Sequence, residues 1–350
     1  MKTAIICFSL TGCETAEKIK EFLEKQGHEI RLAKKSRYIP DAEPVNVDKW
    51  TKEQFAWADG IVFVSACGIA VRHIAPYIRS KKTDPAVLVT DECGKFVISL
   101  LSGHLGGANE LAGILAETLH AVPVITTATD LHSCFAVDTF ARKNHCEIRD
   151  LRAAKEVSAA LLVGKKVGFY SEFPWEGQLP DGLEICDEDG KAKSGIYEIG
   201  IAVSIHKNCR PFDVTTTVIP RILTLGMGCR RGKEAEGILT AAEEILEQNQ
   251  IYQQAIEKLA SIDLKKNEEG FLALAKKWDI PFETYSGEEL NKVSGSFSKS
   301  DFVKNITGVD NVCERSAVLG SGQGRLIQKK ISKDGVTAAL AVQEWRMNFE

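Results

Sequence analysis

Three continuous apolar runs in the first 130 residues, at 4–8, 60–64 and 86–89, constrain this chain more than any other feature. A strand with one wet face alternates apolar and polar residues, so a run without alternation must be buried on both faces. Between the first two runs, Ala16, Ile19, Phe22 and Leu23 fall at helical spacing and stop at Gly27, a residue suited to a left-handed C-terminal cap. Residues 108–119 read as another helix and 122–126 as the strand after it. Doubly buried strands separated by helices predict a doubly wound α/β domain over residues 1–130.

The periodicity weakens from 131 to 220. Strand patterns at 166–170 and 195–205 flank loops carrying Pro174, Gly177, Pro180 and Gly182, and the stretch 208–220, with two prolines and a threonine run, reads as a linker. From 221 the α/β pattern restarts. A strand at 222–225 leads into a glycine-rich turn, Gly226 to Gly232, and then a helix with Ile238, Ala242, Ile245 and Leu246 on one face; further strands are expected at 260–264, 282–285, 325–329 and 337–342. The fold class expected is α/β: two doubly wound α/β domains, 1–130 and 221–350, separated by a small α+β middle module with its linker, 131–220.

Charge and cysteine usage narrow the function. Of 350 residues 44% are hydrophobic and 26% charged, a globular balance, and the net charge of −4 offers no basic face for nucleic acid. The N-terminal apolar run is too short for a signal peptide and no run reaches membrane-spanning length, so a soluble, cytoplasmic protein with no membrane partner is expected. The ten cysteines are scattered, without zinc spacing, and read as reduced thiols. The adjacent His145 and Cys146 are too little to argue a metal site.

Several segments have the composition of a ligand site. Ser9 to Thr15, rich in hydroxyls and glycine, opens the first helix and suits an anion; this also makes a flavodoxin-like flavoprotein a rival, although a plain capped turn explains it as well. Arg72 lies one helical turn beyond the small residues Ser65 to Gly68, where it can clamp a carboxylate or simply pair with a neighbouring acid. Ser102, Gly103, His104, Gly106, Gly107, Asn109 and Glu110 form the most unusual segment: glycines leave His104 uncrowded, and a carboxylate and backbone donors stand near it. A lone histidine is more often structural, but this setting favours function. Asp91 and Glu92 sit at a strand's carboxyl end, where ligands bind, in what otherwise reads as a solvated turn. Gly228, Cys229, Arg230 and Arg231 form an anion cradle before a helix. Its spacing fits neither the dinucleotide nor the triphosphate fingerprint. Two arginines and a helix N-terminus beside Cys229 would lower its thiol pKa, yet an inert turn cysteine is the simpler reading.

Taken together, three stretches of the first domain (Cys67 to Arg72, Thr83 to Val87 and Leu101 to Ala112) resemble the cobalt-precorrin 5A hydrolase family of anaerobic cobalamin biosynthesis. Ile125 to Asp130 continues the resemblance, as do Gly228 to Gly232, Ile262 to Lys266 and Gly308 to Glu314. Arg315-Ser316 departs from the Pro-Ala expected there and puts the local helix start in question.

The resemblance implies a carbon–carbon bond hydrolase that opens the δ-lactone of cobalt-precorrin 5A and expels acetaldehyde, giving cobalt-precorrin 5B. On that chemistry His104 is the expected base, with Glu110 or Asp91 as its alternative or orienter. Ser102, Gly103, Gly106, Gly107 and Asn109 would line the substrate, while Arg72, Arg230, Arg231 and Lys265 would meet its carboxylates. No resident cofactor or metal is expected, because the cobalt and the electron-accepting ring arrive with the substrate. The partners implied are the anionic cobalt corrinoid and, in transient contact, neighbouring corrin-pathway methyltransferases. A corrinoid-binding or channelling module without catalysis would need the same arginines but no base.

Overall fold

Side chains alternate across a strand, so each doubly buried strand needs helices on both sides of its sheet. The computed structural model describes residues 1–349 apart from 41, 81, 82, 105 and 129–133. Leu105, Thr129 and Asp130 of the resembling segments thus lie outside the described residues. The chain forms two compact units, residues 1–139 and 140–350.

The first unit runs β1 (Lys2–Cys7), α1 (Leu10–Lys25), β2 (Glu29–Lys34), α2 (Val47–Trp57), β3 (Gly60–Val64) and α3 (Cys67–Ile74). It continues with β4 (Ala86–Thr90), β5 (Phe96–Leu101), α4 (Ala108–Leu119) and β6 (Val122–Val124), and α5 (Val137–Lys143) begins in it and runs past residue 139, where the second unit starts. The sheet order is β2-β1-β3-β4-β5-β6. The first four strands are parallel, β5 runs antiparallel to β4, and β6 follows β5. Ile5, Val62, Val64 and Leu88 pack with Ile19 and Leu23 of α1 and Leu111 and Leu115 of α4. Their strand neighbours Ile6, Ile61, Phe63, Val87 and Val89 pack on the other face with Val47, Ala70 and Ile74 of α2 and α3. The unbroken apolar runs are therefore two half-cores read in alternation. The last strand is shorter than the expected 122–126.

Among the described residues the second unit holds two five-stranded sheets and two short two-stranded ones, Lys191–Ala192 with Gly195–Ile196 and Trp175–Glu176 with Met347–Asn348. The first comprises β7 (Cys146–Ile148), β8 (Val167–Ser171), β9 (Leu183–Ile185), β10 (Ile199–Val203) and β11 (Val214–Pro220), in the order β9-β8-β10-β11-β7, with α6 (Leu151–Leu162) between β7 and β8. Only β7 is antiparallel to its neighbour. The linker expected over 208–220 is thus corrected: its second half is β11, an interior strand. Thr215, Thr216 and Thr217 are β-branched and suit a strand, and Pro220 closes it.

The other five-stranded sheet has the order β14-β13-β12-β16-β15, from β12 (Leu223–Cys229), β13 (Ile256–Ile262), β14 (Phe282–Tyr285), β15 (Arg325–Lys333) and β16 (Val336–Val342). The helices are α7 (Ala235–Gln248), α8 (Glu269–Trp278), α9 (Gly287–Lys292), α10 (Asp301–Thr307) and α11 (Val312–Gly320). The glycine-rich turn expected from Gly226 begins only at Arg230, because the strand continues through Cys229. Gly226 serves packing instead. A Cβ there would lie 2.0 Å from the Cys313 carbonyl oxygen and 2.7 Å from the Ala317 nitrogen of α11, so only glycine lets that helix lie on the strand.

The Arg315-Ser316 departure leaves α11 intact. Asn311 caps the helix by accepting the Glu314 N–H at 2.9 Å. Arg315 donates to Asp310 at 2.8 Å and to the Leu290 and Val293 carbonyls at 3.1 and 2.9 Å, and lies over the Phe297 ring. Buried Ser316 donates to the Cys313 carbonyl one turn back.

The hydrogen bond from Arg315 holds the Asp310 carboxyl below its usual range. A depressed carboxyl pKa contributes stability above the unfolded value and loses it as pH falls through the folded one. We expect Arg315→Ala to lower stability to denaturant by about 2–3 kcal/mol at pH 7. The gap to wild type should narrow below about pH 4 as Asp310 protonates. A gap that stays constant down to pH 3 would contradict the pairing.

Candidate active site

Ser102 to His104 and Gly106 to Gly107 stand between β5 and α4. Ser102 has φ of 58°, in the left-handed region uncommon for serine, and its hydroxyl donates to the Asp84 carbonyl at 3.1 Å. The buried Asp84 carboxylate is itself fixed by the Arg79 and Ser80 N–H groups at 2.9 and 3.0 Å. A Cβ at Gly106 would lie 2.4 Å from the Ser102 Cβ, so glycine is required for the loop to fold back on itself. At Gly103 the added atom would meet the Asn109 side chain at 2.6 Å, and Gly107 precedes α4 in the left-handed region.

The N–H groups of Gly107, Ala108 and Asn109 donate to the carbonyls of His104, Ser102 and Gly103 at 3.0–3.1 Å. Three of the backbone donors expected near His104 are therefore spent in closing the loop. Asn109, nearly buried, donates to Thr127 at 2.9 Å. Glu110 is exposed in the first turn of α4, in the same segment as His104.

The carboxylate that faces His104 is Asp138, in the first turn of α5: Nδ1 and Oδ2 lie 3.5 Å apart, with both side chains less than a fifth exposed. A carboxylate at Nδ1 favours the tautomer protonated on that nitrogen, in which Nε2 is the basic one. Asp138 escaped the sequence reading because it lies 34 positions from His104 in no recognisable motif.

Asp91 does not join this pair. Val87 pairs with Leu101 and Thr90 with Val97, so the antiparallel β4–β5 ladder sets Asp91 and His104 at opposite ends. Asp91 instead builds its turn, accepting the N–H groups of Cys93, Lys95 and Phe96 at 3.0, 2.8 and 2.8 Å. Asp138, and not Asp91, stands within ion-pair distance of His104. Arg72 is exposed on α3, which begins at the carboxyl end of β3, and donates to the Gly68 carbonyl at 3.1 Å. At the Ser9 turn, the Ser9 hydroxyl accepts the Gly12 N–H and donates to Glu92 at 2.6 Å. An acidic side chain on that cap works against a flavin phosphate.

In the second unit Gly228 and Cys229 end β12. An added Cβ at Gly228 would meet the Thr337 hydroxyl at 2.9 Å. Arg230 and Arg231 are exposed in the following turn, and α7 starts only at Ala235. Lys265 pairs with Glu268 at 2.7 Å, both largely buried, and Glu268 also accepts the Gly232 N–H at 3.0 Å. Burial pushes the Cys229 thiol up despite the opposing Lys265. The expected lowering is corrected: the helix N-terminus lies too far on, and desolvation outweighs the nearby cations. Cys146 likewise is pushed up to about 12 by burial. Among the described residues no group of three histidine, cysteine or acidic side chains stands together to hold a metal, and no helix is long and apolar enough to cross a membrane.

A histidine on a constrained glycine loop, faced by a carboxylate from a helix, has the parts that acid–base chemistry on a bound ligand would need. Three family profiles cover the chain: Cobalamin synthesis G N-terminal matches residues 49–130, Cobalamin biosynthesis central region 135–220, and Cobalamin synthesis G C-terminus 223–341. The chain is 33% identical to the cobalt-precorrin-5A hydrolase of Salmonella typhimurium over 97% of both sequences. It is 34% identical to that of Priestia megaterium over 81% of this chain and 78% of the relative. Among solved structures, CobE, a protein from the cobalamin biosynthetic pathway, is 32% identical over 35% of this chain and 92% of its own, with a TM-score of 0.33. The chain belongs to the cobalt-precorrin-5A hydrolase family. The flavoprotein and binding-module readings are not favoured.

Alkylation at neutral pH followed by peptide mapping should mark exposed Cys93 early and Cys229 late. Early labelling of Cys229 would contradict its half-buried, protonated state.

Proposed function

We propose that this chain opens the δ-lactone of cobalt-precorrin 5A with water and releases acetaldehyde, leaving cobalt-precorrin 5B. The observation that carries this reading is the identity with a hydrolase across 97% of both chains. His104 takes a proton from water as the oxygen attacks the lactone carbonyl, while Asp138 holds the imidazole and balances its charge. The acyl–oxygen bond breaks, giving a ring carboxylate and a secondary alcohol. Loss of the alcohol proton sends the carbon–carbon bond electrons into the conjugated ring, freeing acetaldehyde, and the ring carbon takes up a proton in exchange. The ring and its cobalt, both substrate, accept those electrons, so no resident cofactor is needed.

Ser102, Gly103, Gly106, Gly107 and Asn109 shape the loop that meets the substrate. Arg72, Arg230 and Arg231 are the carboxylate contacts on this reading; Lys265 would have to exchange Glu268 for substrate. Glu110 is the second carboxyl of the segment. The reaction belongs to the cytoplasm, without nucleic acid or membrane, and transient contact with corrin-pathway methyltransferases would supply and remove the ring.

Anaerobic incubation with the lactone should release one acetaldehyde per ring opened. Ring binding without either product would end the hydrolase reading.

His104→Ala should lower the single-turnover rate by roughly 100- to 10,000-fold, with melting temperature and affinity little changed. Asp138→Asn should lower it less, by holding the ring without the charge. A wild-type single-turnover rate in His104→Ala would contradict the catalytic role.

A further inference from the structure

The second unit contains a cleft of about 440 Å³, lined by Arg149, Lys207, Arg210, Tyr252, Gln253 and Gln254. Arg149 follows β7, Lys207 and Arg210 follow β10, and residues 252–254 join α7 to β13. The cleft therefore lies beyond the carboxyl end of a parallel strand, where open α/β sheets take ligands. These segments are pinned rather than loose. The Arg149 N–H bonds the Thr217 carbonyl at 3.0 Å, the Lys207 N–H the Gln250 carbonyl at 2.6 Å, and the Tyr252 N–H the Ile205 carbonyl at 2.9 Å.

The charge in this cleft is one-sided. Lys207 pairs with Glu247, but the guanidinium groups of Arg149 and Arg210 have no acid partner among the described residues. Among the described residues no carboxylate lines the walls. Gathering like charges at a concave surface is unfavourable until an anion enters, and the same focusing draws one in. Guanidinium forks match planar carboxylates, and the Gln253 and Gln254 amides and the nearly buried Tyr252 add neutral hydrogen-bonding groups.

We infer that this cleft binds side-chain carboxylates of the polyanionic tetrapyrrole, a substrate class that rests on the hydrolase reading above. The residues following β7 and β10 thereby give the middle sheet a part in substrate capture that the motif-bearing segments do not supply.

The test is binding of the cobalt lactone to the whole chain, followed by visible absorbance, for wild type and for Arg149→Gln/Arg210→Gln. A control, Lys329→Gln/Lys333→Gln on β15, removes the same charge elsewhere. The cleft variant should bind about 10- to 100-fold more weakly, raise the Michaelis constant more than it lowers turnover, and lose part of the salt dependence. The control should bind as wild type does. Equal affinity in the cleft variant, or an equal loss in the control, overturns the inference while leaving the hydrolase reading intact. Weakened binding in the cleft variant with no acetaldehyde from any protein supports the cleft and ends the hydrolase reading instead. Inorganic phosphate binding the wild-type cleft more tightly than the corrinoid does would overturn the assignment to carboxylates. Should the double variant fold poorly, Arg210→Gln alone, at an exposed side chain, gives the same readout.

Discussion

The first unit depends on the turn that Asp91 builds. Its carboxylate collects three backbone N–H groups within six residues, and the chain reverses there so that β5 returns antiparallel beside β4. Without that reversal, β5 would need a crossover and would end at the carboxyl edge of the sheet. With it, β5 ends beside the start of β4, where the Asp84 carbonyl receives the Ser102 hydroxyl and the glycine loop closes. Asp91 thus determines where His104 stands without touching it. Hydrogen bonds to an ionised carboxylate are the stronger kind, which suits a turn on which so much rests.

A comparable constraint acts in the second unit through Gly226. The close approach of α11 to β12 leaves no room for a side chain. That approach lets Ser316 sit fully buried and lets Glu314, also fully buried, take the N–H groups of Ser298 and Lys330 at 2.8 and 2.7 Å. A buried carboxylate persists only when its oxygens are this well partnered. The glycines of the 226–232 segment thus divide their work: Gly226 permits packing, Gly228 makes room beside Thr337, and Gly232 turns the chain.

Much of the architecture was legible because burial on both faces leaves an unbroken apolar signature, as in residues 4–8, 60–64 and 86–89. The middle sheet was less legible: its strands are short, and the threonine-rich β11 carries little hydrophobic signal although its later residues are buried. The glycines around 226 looked like a turn because a strand glycine required by a crossing helix has the same letter as a turn glycine. At the site, the loop carrying His104 was readable from composition, but its partner was not. Asp138 reaches it through tertiary folding, whereas Asp91, attractive from its place after a strand, is removed from it by strand direction. Sequence spacing encodes neither fact.

The central claim is that the His104 imidazole moves the proton that opens the lactone, and chemical rescue tests it most directly. Added imidazole should restore turnover to His104→Ala in proportion to the concentration of its neutral form, because the loop can admit a free base where the side chain was. A His104→Ala protein that folds and binds the cobalt lactone, stays slow, and gains nothing from imidazole would contradict the account.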